Sequence, residues 1–224
     1  MNRGDSEGVI RFRVHLNRTP LHEDAEIRQL IVWRDILYRL GLVGQDPLRY
    51  SGLGFGNLSV RSRKEPDTFM VTASQTGGIE RLCGMHFCRV IAWKFEPPEL
   101  WAEGLTSPSS ESLTHAAIYE SEKRVGAVIH VHCPEIWHQA DTIGLAVSDP
   151  AAGCGTSALA LEMRSMMAAL KPSNGGIWIL GGHEDGVIAF GADLMQTGLL
   201  VMQWFAAAKT RSVEVVRQSP SKRL

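Results

Sequence analysis

Hydrophobic and polar positions change period several times along the chain. Val9, Ile10, Phe12, Val14 and Leu16 alternate weakly with polar neighbours, which predicts an arm or an edge strand within residues 1–18. After Thr19-Pro20 the spacing turns helical, with Ile27, Leu30, Ile31, Leu37 and Tyr38 on one face. Thr19 stands where an N-cap belongs, Pro20 at the first helical position, Glu23 and Asp24 in the first turn, and Gly41 past the end. Together these signals predict a helix of about twenty residues. Ser59-Val60-Arg61 and Thr68 to Thr72 read as a hairpin around Lys64-Glu65-Pro66-Asp67. Two further strands are predicted over Phe87–Phe95 and Leu100–Ala102, joined by Glu96-Pro97-Pro98-Glu99.

A helix follows from the Thr106–Glu111 stretch to about Ser121, opened by serines at the cap and an acid in the first turn. Next comes Gly126-Ala127-Val128-Ile129-His130-Val131-His132, a short apolar run fit for a buried strand. Strand, helix and strand in that order predict a parallel pair. Pro134 to Asp141 reads as a short helix. Thr156 caps a helix to about Leu170, with Leu159, Met163, Met166, Met167 and Leu170 facing inward. Strands over 176–180 and 187–190 enclose the loop Gly181–Gly186. A last helix runs from Gly191-Ala192-Asp193 to about Ala208, a final strand is expected over Ser212–Val216, and the polar end reads as frayed.

Composition bounds the class. A chain of 224 residues with 44% hydrophobic and 21% charged positions suits a single globular domain. The expected division is an arm over 1–18, a domain over 19–217 and a tail over 218–224. A net charge of −1 gives no global case for nucleic acid or an anionic membrane surface. No apolar run approaches the roughly 20 residues that a membrane span requires, and the charged N-terminus lacks a signal peptide's apolar segment. Cys83, Cys88, Cys133 and Cys154 form no CxxC pair and are expected as reduced thiols of a cytoplasmic protein.

Candidate chemistry centres on His130 and His132. At i, i+2 in a strand they leave the same face together, half of a metal site or a pair of satisfied core histidines. Cys133 points to the other face. His183, in a glycine-flanked loop at another strand end, is placed to complete three nitrogen ligands with open positions, the form of a catalytic zinc site. The helix start at Ser109-Ser110-Glu111 offers N–H groups and hydroxyls to an anion. The glycines of Ser51–Asn57 precede a strand rather than joining strand to helix, so they are not a dinucleotide fingerprint. His15, His22, His86, His115 and His138 read as surface or packing residues.

The ordered set Gly56-Asn57-Leu58-Ser59-Val60-Arg61, Thr76-Gly77, Ser109-Ser110-Glu111, His115, Tyr119, His130-x-His132 and His183 resembles the class II aldolase/adducin family. The resemblance spans about residues 25–208. It implies a single-domain, three-layer α/β/α fold with a central mixed, mostly antiparallel sheet, and a homotetramer with interfacial active sites. It also implies an aldehyde-lyase acting on a small phosphorylated ketose or aldehyde through a metal-stabilised enediolate. Carried over, His130, His132 and His183 become zinc ligands, although three imidazoles suit other divalent ions as well. Asn57, Ser59, Thr76, Gly77, Ser109 and Ser110 become the phosphate site, and Glu111 the acid/base.

Two departures stand out. The fuculose-phosphate type of aldolase uses a tyrosine downstream of the His-x-His as proton donor, and here Tyr38, Tyr50 and Tyr119 all precede it. His138 or water is left for that part. The loop Gly182–Gly186 is two residues longer than the family's His-Gly, which leaves Glu184 or Asp185 as an alternative to His183 for contact with the metal or a water. Alternatives are a ketose 1-phosphate dehydratase of the methylthioribulose-phosphate type and a non-catalytic adducin-like module.

Overall fold

The computed structural model describes residues 8–173 and 175–218, with side chains to Val213. Strand β1 (Arg13–Arg18) comes first, then α1 (Ala25–Arg39), and β2 (Gly44–Gln45) pairs with β3 (Gly54–Phe55). β4 (Asn57–Arg61), β5 (Phe69–Thr72), β6 (Phe87–Phe95) and β7 (Pro98–Gly104) follow as a meander. Then come α2 (Ser112–Ser121), β8 (Ala127–His132), α3 (Pro134–Trp137), α4 (Ala140–Ile143) and α5 (Ser157–Leu170). β9 (Gly176–Ile179), β10 (Gly186–Gly191) and α6 (Leu194–Gln218) complete the described residues.

Eight strands form one sheet in the order β1-β7-β6-β5-β4-β8-β10-β9. The pair β1–β7 is parallel and every other pair in it antiparallel. α2 and α5 cover one face, through Leu113, Ala117, Ile118, Leu159 and Met163. α1, α3, α4 and α6 cover the other, through Ile27, Leu30, Leu37, Ile136, Ala140 and Val201. β8 is buried along its whole length, so alternate residues feed the two cores: Val128 the first, Ala127, Ile129 and Val131 the second. This is the expected three-layer α/β/α fold with a mixed, mostly antiparallel sheet.

Several local expectations are corrected. β7, α2 and β8 do not form a parallel unit: β8 lies between β4 and β10, antiparallel to both. Its all-apolar faces reflect burial between two helical layers, which an antiparallel strand meets as readily as a parallel one. α1 has 15 residues and starts at Ala25, not after Thr19. Asp24 is its N-cap, with Oδ1 accepting from the N–H groups of Glu26 and Ile27 at 3.0 Å each, two bonds that a Thr-Pro start does not offer here. α2 begins after Glu111, so that residue sits at the cap. Residues 134–143 form two short helices rather than one. Leu170 is 51% exposed at the end of α5. The strand expected over 212–216 is instead the continuation of α6, where Gln139 Nε2 donates to Ala208 O and Ser212 Oγ and holds the helix against α4's start. Of the tail, 219–224 lie outside the described residues.

Replacing Asp24 with Ala should lower stability by about 1 kcal/mol in urea unfolding, whereas Thr19→Ala should leave it unchanged; the reverse order would restore the earlier helix start.

Candidate metal centre and polar cleft

The register of the sheet builds the site. On β8, His130 faces Asn57 of β4 and Ile188 of β10, and His132 faces Gly186. Both imidazoles therefore project from the sheet face that α2 covers. β9 and β10 form a hairpin, and its loop brings His183 back over the same strand ends. Bonds from Leu180 N–H to Gly186 O (2.9 Å) and from Gly186 N–H to His183 O (2.9 Å) shape that loop, and Cys133 N–H to Asp185 O (2.8 Å) ties it to the end of β8. A Cβ on Gly186 would lie 3.0 Å from the His183 ring, so glycine leaves room for the imidazole.

The three rings make a nearly equilateral triangle, with centroids 5.0, 4.8 and 4.7 Å apart. One nitrogen from each lies within 4.8 Å of the others, and all three residues are buried. Val187 O lies 3.1 Å from His130 Nδ1. Its carbonyl can only accept, so Nδ1 carries the proton and Nε2 is left as the ligand atom. Burial, with the neighbouring imidazoles and Arg49, pushes the His132 pKa well below the ordinary histidine value, which keeps it neutral. Three buried imidazoles at this spacing fit one divalent ion. Cys133 is buried in the opposite core and is not among them.

Glu111 reaches the triangle from the start of α2. Its oxygens lie 3.3 Å from His130 Nε2 and 3.2 Å from His183 Nδ1, and it is buried. Burial raises its pKa, but His130, His183 and His115 more than offset this, holding the carboxyl at about 2. The segment before it is pinned to the sheet: Ser74 N–H donates to Ser107 O, and Ser109 N–H to Thr72 O.

Beside Glu111 lies a small polar cleft lined by Asn57, Thr76, Gly77, Ser109 and Ser110, with Gly54, Gly56, Ser74 and Gln75. Five of the six residues expected to hold phosphate are thus brought together. Ser59 is the exception. Its side chain points to the same sheet face as Asn57, but it pairs with Val128, one step deeper under α2. There its hydroxyl lies 2.7 Å from His115 Nδ1 and 2.8 Å from Tyr119 Oη. Glu111 at the cap of α2, with His115 and Tyr119 at i+4 and i+8 on the helix, therefore begins a buried polar row against the sheet. Of the two readings of His115, surface and packing, the second holds, with a polar partner in Ser59: burial pushes its pKa down to about 3.

A sequence profile of the class II aldolase and adducin N-terminal domain matches residues 47–210. The chain belongs to this family. Solved structures agree in fold. An L-fuculose-1-phosphate aldolase from Thermus thermophilus superposes with a TM-score of 0.63 at 20% identity, covering 88% of this chain and 97% of that one. A sugar-phosphate aldolase from Thermotoga maritima gives 0.63 at 18% identity, covering 87% and 97%. An L-fuculose 1-phosphate aldolase from Glaciozyma antarctica gives 0.56 at 15% identity, covering 87% and 77%. No curated protein matches the sequence.

Within this class II aldolase/adducin domain, Arg34 and Tyr50 escaped the sequence reading. Arg34, buried on α1, donates to the carbonyls of Thr76 (3.0 Å), Gly77 (2.8 Å) and Glu80 (3.2 Å), with its guanidinium over the Tyr38 ring. It holds the loop that forms one wall of the cleft. The available signal was a charged residue inside the apolar row Ile27, Leu30, Leu37. Tyr50 and Asp185 meet beside His132, 135 positions apart in sequence, and no local pattern announces that contact. His138 stands 4.0 Å from the same Asp185.

A depressed histidine pKa sets the sign of a pH effect. The unfolded chain binds a proton on His115 below about pH 6.5, whereas the folded chain does not until about pH 3. Stability of the metal-free protein should therefore fall with pH from about 6.5 downward, by about 1 kcal/mol per group between pH 6.5 and 5.5. Thermal unfolding of His115→Gln should show a shallower fall over that window; an unchanged slope would mean that His115 is protonated in the fold.

Proposed function

We propose that this protein is a divalent-metal-dependent aldolase acting on a small phosphorylated ketose. The observation that supports it most is the placement of Glu111 between two of three clustered, buried histidines, with a cleft of neutral donors alongside. His130, His132 and His183 would hold the ion, with zinc the first choice for three imidazoles. When bound, such an ion supplies a Lewis acid for the substrate's carbonyl and neighbouring hydroxyl. Asn57, Thr76, Gly77, Ser109 and Ser110 hold the phosphate through hydroxyls, an amide and backbone N–H groups, without a lysine. Glu111 takes the proton from the carbon next to the carbonyl in condensation and returns it in cleavage. α2 excludes water behind it. Ser59, turned to His115 and Tyr119, has a supporting part in orienting this row rather than a contact with phosphate.

The lack of a tyrosine after the His-x-His favours one second reading, loss of water from a ketose 1-phosphate at the same site. A non-catalytic adducin-like module is disfavoured, because burying these ionisable side chains is costly unless they are used. We also propose a homotetramer with interfacial sites, as the family resemblance implies; exposed Val32, Met195 and Leu199 on α1 and α6 offer apolar surface for assembly, and light scattering should give about four times 24.7 kDa.

Purified protein should take up about one divalent ion per chain. His130→Ala should lose both metal and turnover. Glu111→Gln should keep the metal and lose turnover by about 10²-fold or more. Dihydroxyacetone phosphate with assorted aldehydes should yield new carbon–carbon bonds; dehydrated product from ketose 1-phosphates alone would select the second reading, and a protein that takes up no metal would sink both.

A further inference from the structure

Three of the five described non-glycine residues with left-handed backbone gather on one side of the histidine triangle: Tyr50 (φ 49), Ser51 (φ 57) and Asp185 (φ 61). Bulky side chains adopt this conformation at a cost, and they persist in it only where surrounding contacts enforce it. The contacts here are specific. The Tyr50 ring packs edge-on against His132, with centroids 4.4 Å apart at 70°, and against Phe55 at 5.0 Å. Its hydroxyl donates to Asp185 Oδ2 at 2.6 Å, and Arg49 reaches the same oxygen at 3.1 Å while covering the Tyr50 ring. Asp185 is buried and follows His183 by two positions, and its carbonyl accepts from the residue after His132. The loop that delivers Tyr50 is otherwise open, with Leu48 95% exposed. Among the described residues, it is this cluster that holds the tyrosine ring down on the site.

We infer that Tyr50, latched by Asp185, is a positioning residue for the metal centre: its ring sets the orientation of His132, and its hydroxyl couples that histidine to the loop that carries His183. The two histidines come from different parts of the chain, His132 from the end of β8 and His183 from the β9–β10 loop, and their separation depends on a link between the ends of β8 and β10. Cys133 N–H to Asp185 O links the backbones; Tyr50 links the side chains. Partners of this kind, behind the ligands, commonly change metal affinity by about 10–100-fold. The inference rests on the proposed metal site but not on the aldolase chemistry assigned to it.

The test is direct metal binding, read by Zn2+ competition titration and by the visible spectrum of the Co2+ form. Tyr50→Phe keeps the ring and loses the bond to Asp185; it should weaken Zn2+ binding about tenfold. Tyr50→Leu loses both and should weaken it further, with a changed Co2+ spectrum. Trypsin should cut after Arg49 faster in both variants, because the loop is released. Leu48→Ala, on the same loop, should behave as wild type. Wild-type affinity, spectrum and protection in both tyrosine variants would overturn the inference, and if Tyr50→Leu fails to fold, Tyr50→Phe alone decides. A wild-type protein that binds no metal would overturn the inference and the metal reading together. One that binds metal but joins no aldehyde would sink only the aldolase reading and leave this inference standing.

Discussion

A buried carboxylate among three buried imidazoles is the constraint around which this molecule is arranged. Glu111 lies deep enough that, isolated, its charge would cost several kcal/mol to bury. It is held by proximity to His130 and His183, and those rings are held in turn by a sheet register that cannot slip by one residue without turning both β8 histidines into the opposite core. The apolar residues of β8 enforce that register, since alternate side chains are committed to two separate hydrophobic layers. The packing that stabilises the sheet is thus the same packing that aims the site.

Behind this centre the polar groups are arranged in depth. α2 carries Glu111, His115 and Tyr119 along one side, so the helix that closes the core also buries a hydrogen-bonded row reaching Ser59. α1 contributes Arg34, whose guanidinium crosses from the other layer to fix the loop at Thr76-Gly77. Close backbone approach completes that wall: a Cβ on Gly77 would fall 2.1 Å from the carbonyl oxygen of Gly44. Each wall of the cleft is therefore made by a different layer of the fold. A substitution far from the chemistry, in either helical layer, reaches the site through one of these contacts.

Local pattern and long-range contact divided the information unequally. Period-2 and period-3.6 spacing were enough for the hairpin around 64–67, the strands over 87–95 and 100–102, the β8 strand, the helix after Thr156 and the two strands flanking the His183 loop, because those elements bury one face or two in a regular way. Spacing failed where a stronger local competitor was present, as with Asp24 against Thr19, or where a tertiary contact extended an element, as with Gln139 and α6. It also misjudged strand direction, because β8 is apolar on both faces whichever way its neighbours run. The site followed the same rule. His130 and His132 were legible because one strand carries both, whereas the roles of Ser59 and His115 were not, since a hydroxyl's partner depends on how far under α2 its strand position falls.

By itself the sequence determined, through its family resemblance, the class of the fold, the strand that bears two of the clustered histidines, and a donor set of imidazoles, carboxylate and small hydroxyl residues that fits a metal and an anion. The chain's membership of the class II aldolase/adducin family spans residues 47–210, which contain that ordered set. Only the tertiary structure decided that His183 closes the triangle, that Ser59 turns away from the cleft, that Arg34 holds its wall, and that Tyr50 and Asp185 meet over His132. The reason is physical. Periodicity encodes which face of an element is buried, but contacts between loops from distant parts of the chain depend on strand order, register and loop closure, and those are set by the packing of the whole molecule.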